Sequence, residues 1–302
     1  MTKVSILHFN LLETPLKTSI LSIPALALAT LMALPAAHAA VVTANNPAGD
    51  SFTNTSESNE GMAIVGSGWY YNNVRAGANI GIDTDYPRSG NGSVSFTAPH
   101  NGKADIEYLP GAILLNGNYV STTSLGLLSS LTTMSYDWYR DSVSVADNRQ
   151  HPSLRVLLDA DGNLATVGDR GGLVFERVYN NLGMPVDQWV SDTVSDSTFV
   201  WNFGLGVGNN FSIDTNTYAY DSTLGDWKAY FPNATIIGFS SGVGSGWNAY
   251  SGAVDNISWT INGVTTTSNF EVASAQVPEP ASLALFGIGL VGLLNLRRRK
   301  AL

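Results

Sequence analysis

The chain has 302 residues, no cysteine, four histidines and a formal charge of −9 from 15 basic and 24 acidic side chains. The terminal segments hold Lys3, Lys17, Arg297, Arg298, Arg299 and Lys300 against Glu13 and Glu279, so the body between residues 40 and 277 carries 9 basic and 22 acidic residues. This composition excludes disulfide staples, thiolate metal sites and cysteine nucleophiles, leaves the body only His100 and His151 for imidazole chemistry, and disfavours nucleic acid as a partner.

Residues 1–39 have the order of a secretory leader. Lys3 and Lys17 precede an apolar stretch from Ile20 to Leu34, and Ala37-His38-Ala39 places small residues where a signal peptidase fits them. Cleavage is expected after Ala39. A retained anchor is the competing reading, but the apolar run is shorter than the ~20 residues a membrane span requires.

Residues 40–272 predict one all-β domain. Apolar side chains alternate at Val94/Phe96, Ile106/Tyr108, Met134/Tyr136/Trp138, Leu154/Val156/Leu158, Leu173/Phe175, Phe199/Trp201/Phe203 and Ile257/Trp259/Ile261. Asn-Gly pairs at 91–92, 101–102, 116–117 and 262–263, with Asp161-Gly162, supply tight turns. The clearest hairpin is Ile257–Ile261, Asn262-Gly263 and Val264–Thr267. Leu125–Leu131 allows one helical turn. Many short strands with frequent turns point to an antiparallel β-sandwich or jelly roll.

Within this body, all seven tryptophans are candidates for core or for sugar stacking. Trp69, Tyr70, Tyr71, Trp227, Trp247 and Tyr250 lie among glycines and asparagines and are the carbohydrate-binding candidates. Trp138, Trp201 and Trp259 alternate within strands and read as core. Asp255 shares the parity of Ile257 and Trp259. A buried carboxylate there would be relieved by Ca²⁺, or by backbone N–H groups if the strand begins at Asn256. Asp159-Ala160-Asp161-Gly162-Asn163 resembles the start of an EF-hand loop. However, Leu164 replaces the sixth-position glycine and Arg170 the closing glutamate, so a hairpin from Leu154–Leu158 to Leu164–Val167 is expected instead. Glu107 and Glu176 are read as outward strand acids, and His151 as a polar loop residue. No catalytic residue is assigned.

Arg88-Ser89-Gly90-Asn91-Gly92-Ser93 before a core strand and Asp255-Asn256 opening the last long strand give the body a diffuse resemblance to lectin-like and carbohydrate-binding jelly rolls. The resemblance implies that architecture, and in related modules an acid near Asp255 holds a structural Ca²⁺. Residues 273–277 read as a linker. Pro278-Glu279-Pro280, the apolar run Ala281–Leu296 with Gly287, Gly289 and Gly292, and the terminal arginines resemble the PEP-CTERM sorting signal of Gram-negative bacteria. That resemblance implies an exosortase as partner, a helix held in the inner membrane before processing, and delivery to the cell surface or an exopolysaccharide matrix. The expected function is a noncatalytic sandwich on an exported protein that binds exopolysaccharide. A polysaccharide lyase or glycosidase and a purely structural matrix component are the alternatives.

Overall fold

The computed structural model describes residues 39–215 and 218–273. The leader, apart from Ala39, and the sorting segment with Pro278, Glu279 and Pro280 lie outside the described residues. Among the described residues no helix is long and apolar enough to cross a membrane.

Two large sheets form the body. The first runs β1 (Ala40–Thr43), β18 (Val264–Glu271), β17 (Tyr250–Ile261), β6 (Ser93–Ala98), β5 (Ala78–Asp83) and β2 (Phe52–Asn54). On the other flank of β17, β11 (Leu131–Arg140) pairs with it and then with β14 (Trp189–Val194). The second sheet runs β15 (Trp201–Gly204), β13 (Arg170–Phe175), β12 (Ser153–Asp159), β16 (Thr235–Val243), β7 (Lys103–Tyr108), β4 (Trp69–Arg75) and β3 (Glu60–Ile64). A two-residue strand, β10 (Gly126–Leu127), joins β16. A separate hairpin pairs β8 (Ile113–Leu115) with β9 (Asn118–Val120). The described helices are α1 (Leu224–Tyr230) and two 3₁₀ turns, of which Leu128–Ser130 falls within the apolar stretch that allowed a helical turn.

The alternation of apolar residues places them between these sheets. Trp259 of β17 stacks on Phe239 of β16 with centroids 4.3 Å apart, and Trp69 of β4 meets Phe270 of β18 at 5.0 Å. The Trp69 indole N–H donates to Ser268 Oγ across the core at 3.1 Å. Val94, Phe96, Ile106, Met134, Tyr136, Trp138, Leu154, Val156, Leu158 and Ile257 are all buried, as their periodicity predicts. Among the described residues all but one of the strand pairings are antiparallel, the exception being β1 against β18. The body is therefore the all-β, predominantly antiparallel sandwich expected of its sequence.

The β17–β18 hairpin turns at Asn262-Gly263, with Ile261 opposite Val264. Both turn residues have positive φ, 52° and 74°, the geometry that this dipeptide tolerates at little cost.

Three local expectations differ. The hairpin after β12 does not return at Leu164–Val167. Asp159 pairs with Arg170, and the residues between fold back on themselves through Asn163 N–H to Asp161, Ala165 N–H to Asn163 and Thr166 N–H to the Asn163 carbonyl. These local bonds replace the ladder. The alternation of Leu173 and Phe175 continues in the sequence through Arg177 and Tyr179, but the strand begun at Arg170 ends at Phe175, because Arg177–Asn180 form a 3₁₀ turn closed by Asn181 at φ 54°. Asp255 lies inside β17, at a register shift where Asn256 takes φ 50°, and does not open the strand.

Candidate functional site

Side chains that alternate with the core residues of the second sheet point outward, and they build a groove of about 550 Å³ across its face. The strand register lines up Tyr70, Glu107, Ser240, Arg155, Val174 and Trp201 in one row across six strands. Asn72, Asp105, Gly242 and Ser153 form the adjacent row. Trp201, Phe203 and Trp247 supply the aromatic part of the lining.

The floor is a closed polar network. Arg155 Nη1 donates to Asp105 Oδ1 at 2.7 Å and to Ser240 Oγ at 3.2 Å. Lys103 Nζ lies 3.3 Å from Asp105 Oδ2. Asn73 Nδ2 donates to both acids, to Asp105 at 3.0 Å and Glu107 at 3.1 Å, and Asn72 Nδ2 donates to Glu107 at 2.6 Å. Asn73 reaches them from a bulge in β4, where its φ is 53° and the pairing with β7 slips. Asn118 of β9 in turn donates to Asn73 Oδ1 at 2.7 Å, so the small hairpin props the floor from one side.

Two glycines make room. A Cβ on Gly242 would lie 2.3 Å from Asp105 Oδ1, and one on Gly172 would lie 2.9 Å from the Phe203 ring. The acid and the ring can therefore lie close against the sheet only over glycine.

Charge is distributed unevenly along this floor. Burial opposes ionisation of Asp105, but Arg155 and Lys103 outweigh it and hold its carboxyl below the usual range. Glu107 is pushed up to about 7, first by burial and then by the Asp105 charge. Burial also raises Glu176, against the pull of the Trp201 indole N–H, which donates to it at 3.3 Å, and of Arg155.

The sequence candidates divide on this structure. Trp247 lines the groove, and half-buried Tyr70 lies on the same outer face, its ring 4.3 Å from Tyr119. Trp69, Tyr71, Trp227 and Tyr250 are buried and present no ring to a sugar. Trp69 and Tyr71 occupy the inward parity of β4, where Tyr71 Oη donates to Asp50 at 2.8 Å. Trp227 sits on α1, whose N-terminus is a capping box of Thr223 and Asp226, and its indole donates to the Val200 carbonyl at 3.0 Å. Tyr250 Oη donates to the Tyr139 carbonyl at 3.2 Å.

Of the tryptophans read as core, Trp138 and Trp259 are buried, but Trp201 faces the groove. The parity of β15 is inverted because Asn202 points inward, where it donates to the Gly208 carbonyl at 2.7 Å and accepts the Phe211 N–H at 2.8 Å. Glu107 does point outward, yet it is only 5 % exposed and belongs to the floor. His151 is buried. Its Nε2 accepts the Arg177 N–H at 3.0 Å, which assigns the proton to Nδ1, facing the Pro152 carbonyl at 2.9 Å.

Asp255 does not suit a cation. It is fully buried, and its two oxygens accept backbone N–H groups, Phe270 at 3.0 Å and Ser89 at 3.3 Å. Burial pushes its carboxyl up to about 6 despite these donors. Ca²⁺ requires six to eight oxygens, whereas the groups aimed at Asp255 are N–H donors.

Residues 276–300 match the PEP-CTERM protein-sorting motif. The chain thus carries that sorting signal, which implies export. No curated protein matches the chain. Among solved structures it is similar to a family 11 carbohydrate-binding module from Clostridium thermocellum in complex with a β-1,3-1,4-mixed-linked tetrasaccharide. That alignment has 14% identity and a TM-score of 0.36, and covers 68% of this chain and 97% of the other. A family 11 module of a cellulosomal cellulase of the same organism aligns at 11% identity with a TM-score of 0.33, over 70% of this chain and 86% of the other.

Proposed function

We propose that this is an exosortase-sorted protein of the cell surface or extracellular matrix whose second-sheet groove binds a polysaccharide without cleaving it. The observation that carries the reading is the groove itself, in which Trp201, Phe203 and Trp247 stand beside a hydrogen-bonded floor of Asn73, Asp105, Glu107 and Arg155. Sugar rings offer C–H faces to aromatic rings and hydroxyls to such fixed polar groups. Lys103 and Arg155 offset the floor acids, and the body carries excess negative charge, so a neutral glycan suits the groove better than a polyanion.

The spacing of Glu107 and Glu176 does not suit hydrolysis between that pair. β7 and β13 are separated by β16 and β12, and three strand spacings amount to roughly 14 Å. A glycosidase pair works at about 5–9.5 Å across the scissile bond. Glu107 lies on β7, Glu176 directly follows β13, and Arg155 stands on β12 between them.

Calorimetric titration of the full chain with the exopolysaccharide of its producer tests the groove. Trp201→Ala and Trp247→Ala are each expected to weaken binding about three- to tenfold. Unchanged isotherms in both variants, or no binding by the parent, would remove the groove as the site.

Sorting is tested separately. Deletion of residues 278–302 is expected to retain the protein in a different cell fraction from the intact chain. Identical fractionation of the two would rule against a role for the tail.

A further inference from the structure

Away from the groove, the ten residues joining β12 to β13 bring three carboxylates together. Asp159, Asp161 and Asp169 each offer an oxygen within 4.8 Å of the others. Proximity alone would be unremarkable on an acidic surface, but Asp159 is fully buried, and neither of its carboxylate oxygens has a hydrogen-bond partner. A buried carboxylate without donors is costly. Its counter-charge is Arg170, whose Nε lies 3.4 Å from Oδ2 and makes no hydrogen bond to it. The two terminal nitrogens of that guanidinium are spent elsewhere, on the carbonyls of Ser121 at 3.1 Å and Leu164 at 3.0 Å.

The other two acids are held in place. Asp169 Oδ2 accepts the Asp161 N–H at 2.9 Å, and Asp161 Oδ1 accepts the Asn163 N–H at 2.7 Å. Thr166 Oγ1 lies 3.3 Å from Asp161 Oδ1 and from Asp169 Oδ1. The loop therefore fixes carboxylates that repel one another. Three negative charges face one arginine, which leaves two in excess.

We propose that Asp159, Asp161 and Asp169 bind one Ca²⁺ ion, which staples the β12–β13 loop. A hard divalent cation matches both the ligand chemistry and the excess charge. Mg²⁺ holds to a near-ideal octahedron and keeps several of its waters, so a cage of protein carboxylates suits the larger ion better. Ca²⁺ also tolerates irregular coordination, as a loop without flanking helices requires. The sequence resembles an EF-hand only over its first five positions because the closing acid is Asp169, one residue before the position occupied by Arg170.

The test uses the full chain, stripped with chelator and titrated with Ca²⁺ alone. At a hundredfold excess over the dissociation constant, Ca²⁺ is expected to raise Tm by about 5 °C or more. Asp161 is exposed, so Asp161→Asn spares the fold; this variant is expected to lose the Tm rise and the one-to-one calorimetric binding together. A parent protein whose Tm ignores Ca²⁺, or a rise and stoichiometry that survive in Asp161→Asn, would overturn the site.

Discussion

Replacing Arg155 with leucine is expected to cost roughly 3–5 kcal/mol of folding stability and to abolish glycan binding with it. The reason lies in what is left behind. Asp105 is 1 % exposed and Glu107 5 %, so neither acid can turn to water when its cation is removed. Lys103 still reaches Asp105, but from a partly exposed side chain at 3.3 Å. The cost is therefore that of an unpaired buried charge and exceeds the net worth of the bond. Asp105→Asn in the same chain is expected to recover most of the loss, because the asparagine needs no counter-charge. Urea denaturation of the two single variants and the double variant measures this directly. A loss below about 1 kcal/mol in Arg155→Leu would show that the floor is solvated and not closed.

Acid is expected to destabilise the protein through His151. Burial depresses this imidazole to about 3 against the opposing hydrogen bond to the Pro152 carbonyl, and the charges of Arg177 and Arg140 add to the depression. An unfolded histidine titrates near 6.5. The unfolded chain thus binds a proton that the folded chain refuses. The stability associated with the neutral ring is fully present above pH 6.5 and is lost as pH falls toward 3, on the order of 4–5 kcal/mol over the whole window. Protonation would also strip Nε2 of its bond from the Arg177 N–H. Glu107 and Asp255 work in the opposite sense, since their raised carboxyls make the folded state bind protons more readily as pH falls. The histidine contribution is therefore read as the difference between parent and His151→Gln between pH 6.5 and 5. That difference is expected to change by about 1.6 kcal/mol in all across this window, the slope steepening toward about 1.4 kcal/mol per pH unit at its acid end. Parallel stability curves would mean that the ring is not held neutral.

The core of this sandwich could be read from alternation because apolar side chains obey it simply: Phe96, Trp138 and Trp259 lie where their parity puts them. The Asn262-Gly263 hairpin was equally plain, since its turn demands residues that accept positive φ. The groove was harder to see. Glu107 was read as an outward strand acid and does face out, but nothing within β7 reveals that Arg155, some fifty residues on, packs over that face beside Asp105. The available signal was complementary charge on two strand faces, together with Gly242 and Gly172, which clear space for Asp105 and Phe203. Trp201 was misplaced because parity assumes that the polar neighbour faces out, and Asn202 satisfies itself inside instead. Trp69 and Tyr71 were read as sugar-stacking candidates on their glycine-rich surroundings, although their own spacing of two already suited the inward face of a strand.

The parallel pairing of β1 with β18 bears on how the body would withstand a pull at its C-terminal end. β18 leads into the sorting tail and is zipped on one side to β1 and on the other to β17. Tension applied along its axis from the C-terminal end would have to slide these backbone bonds together, in shear, instead of peeling them open singly. A load taken up by the opposite sheet would then reach the C-terminal end of the body through a strand clamped along both edges.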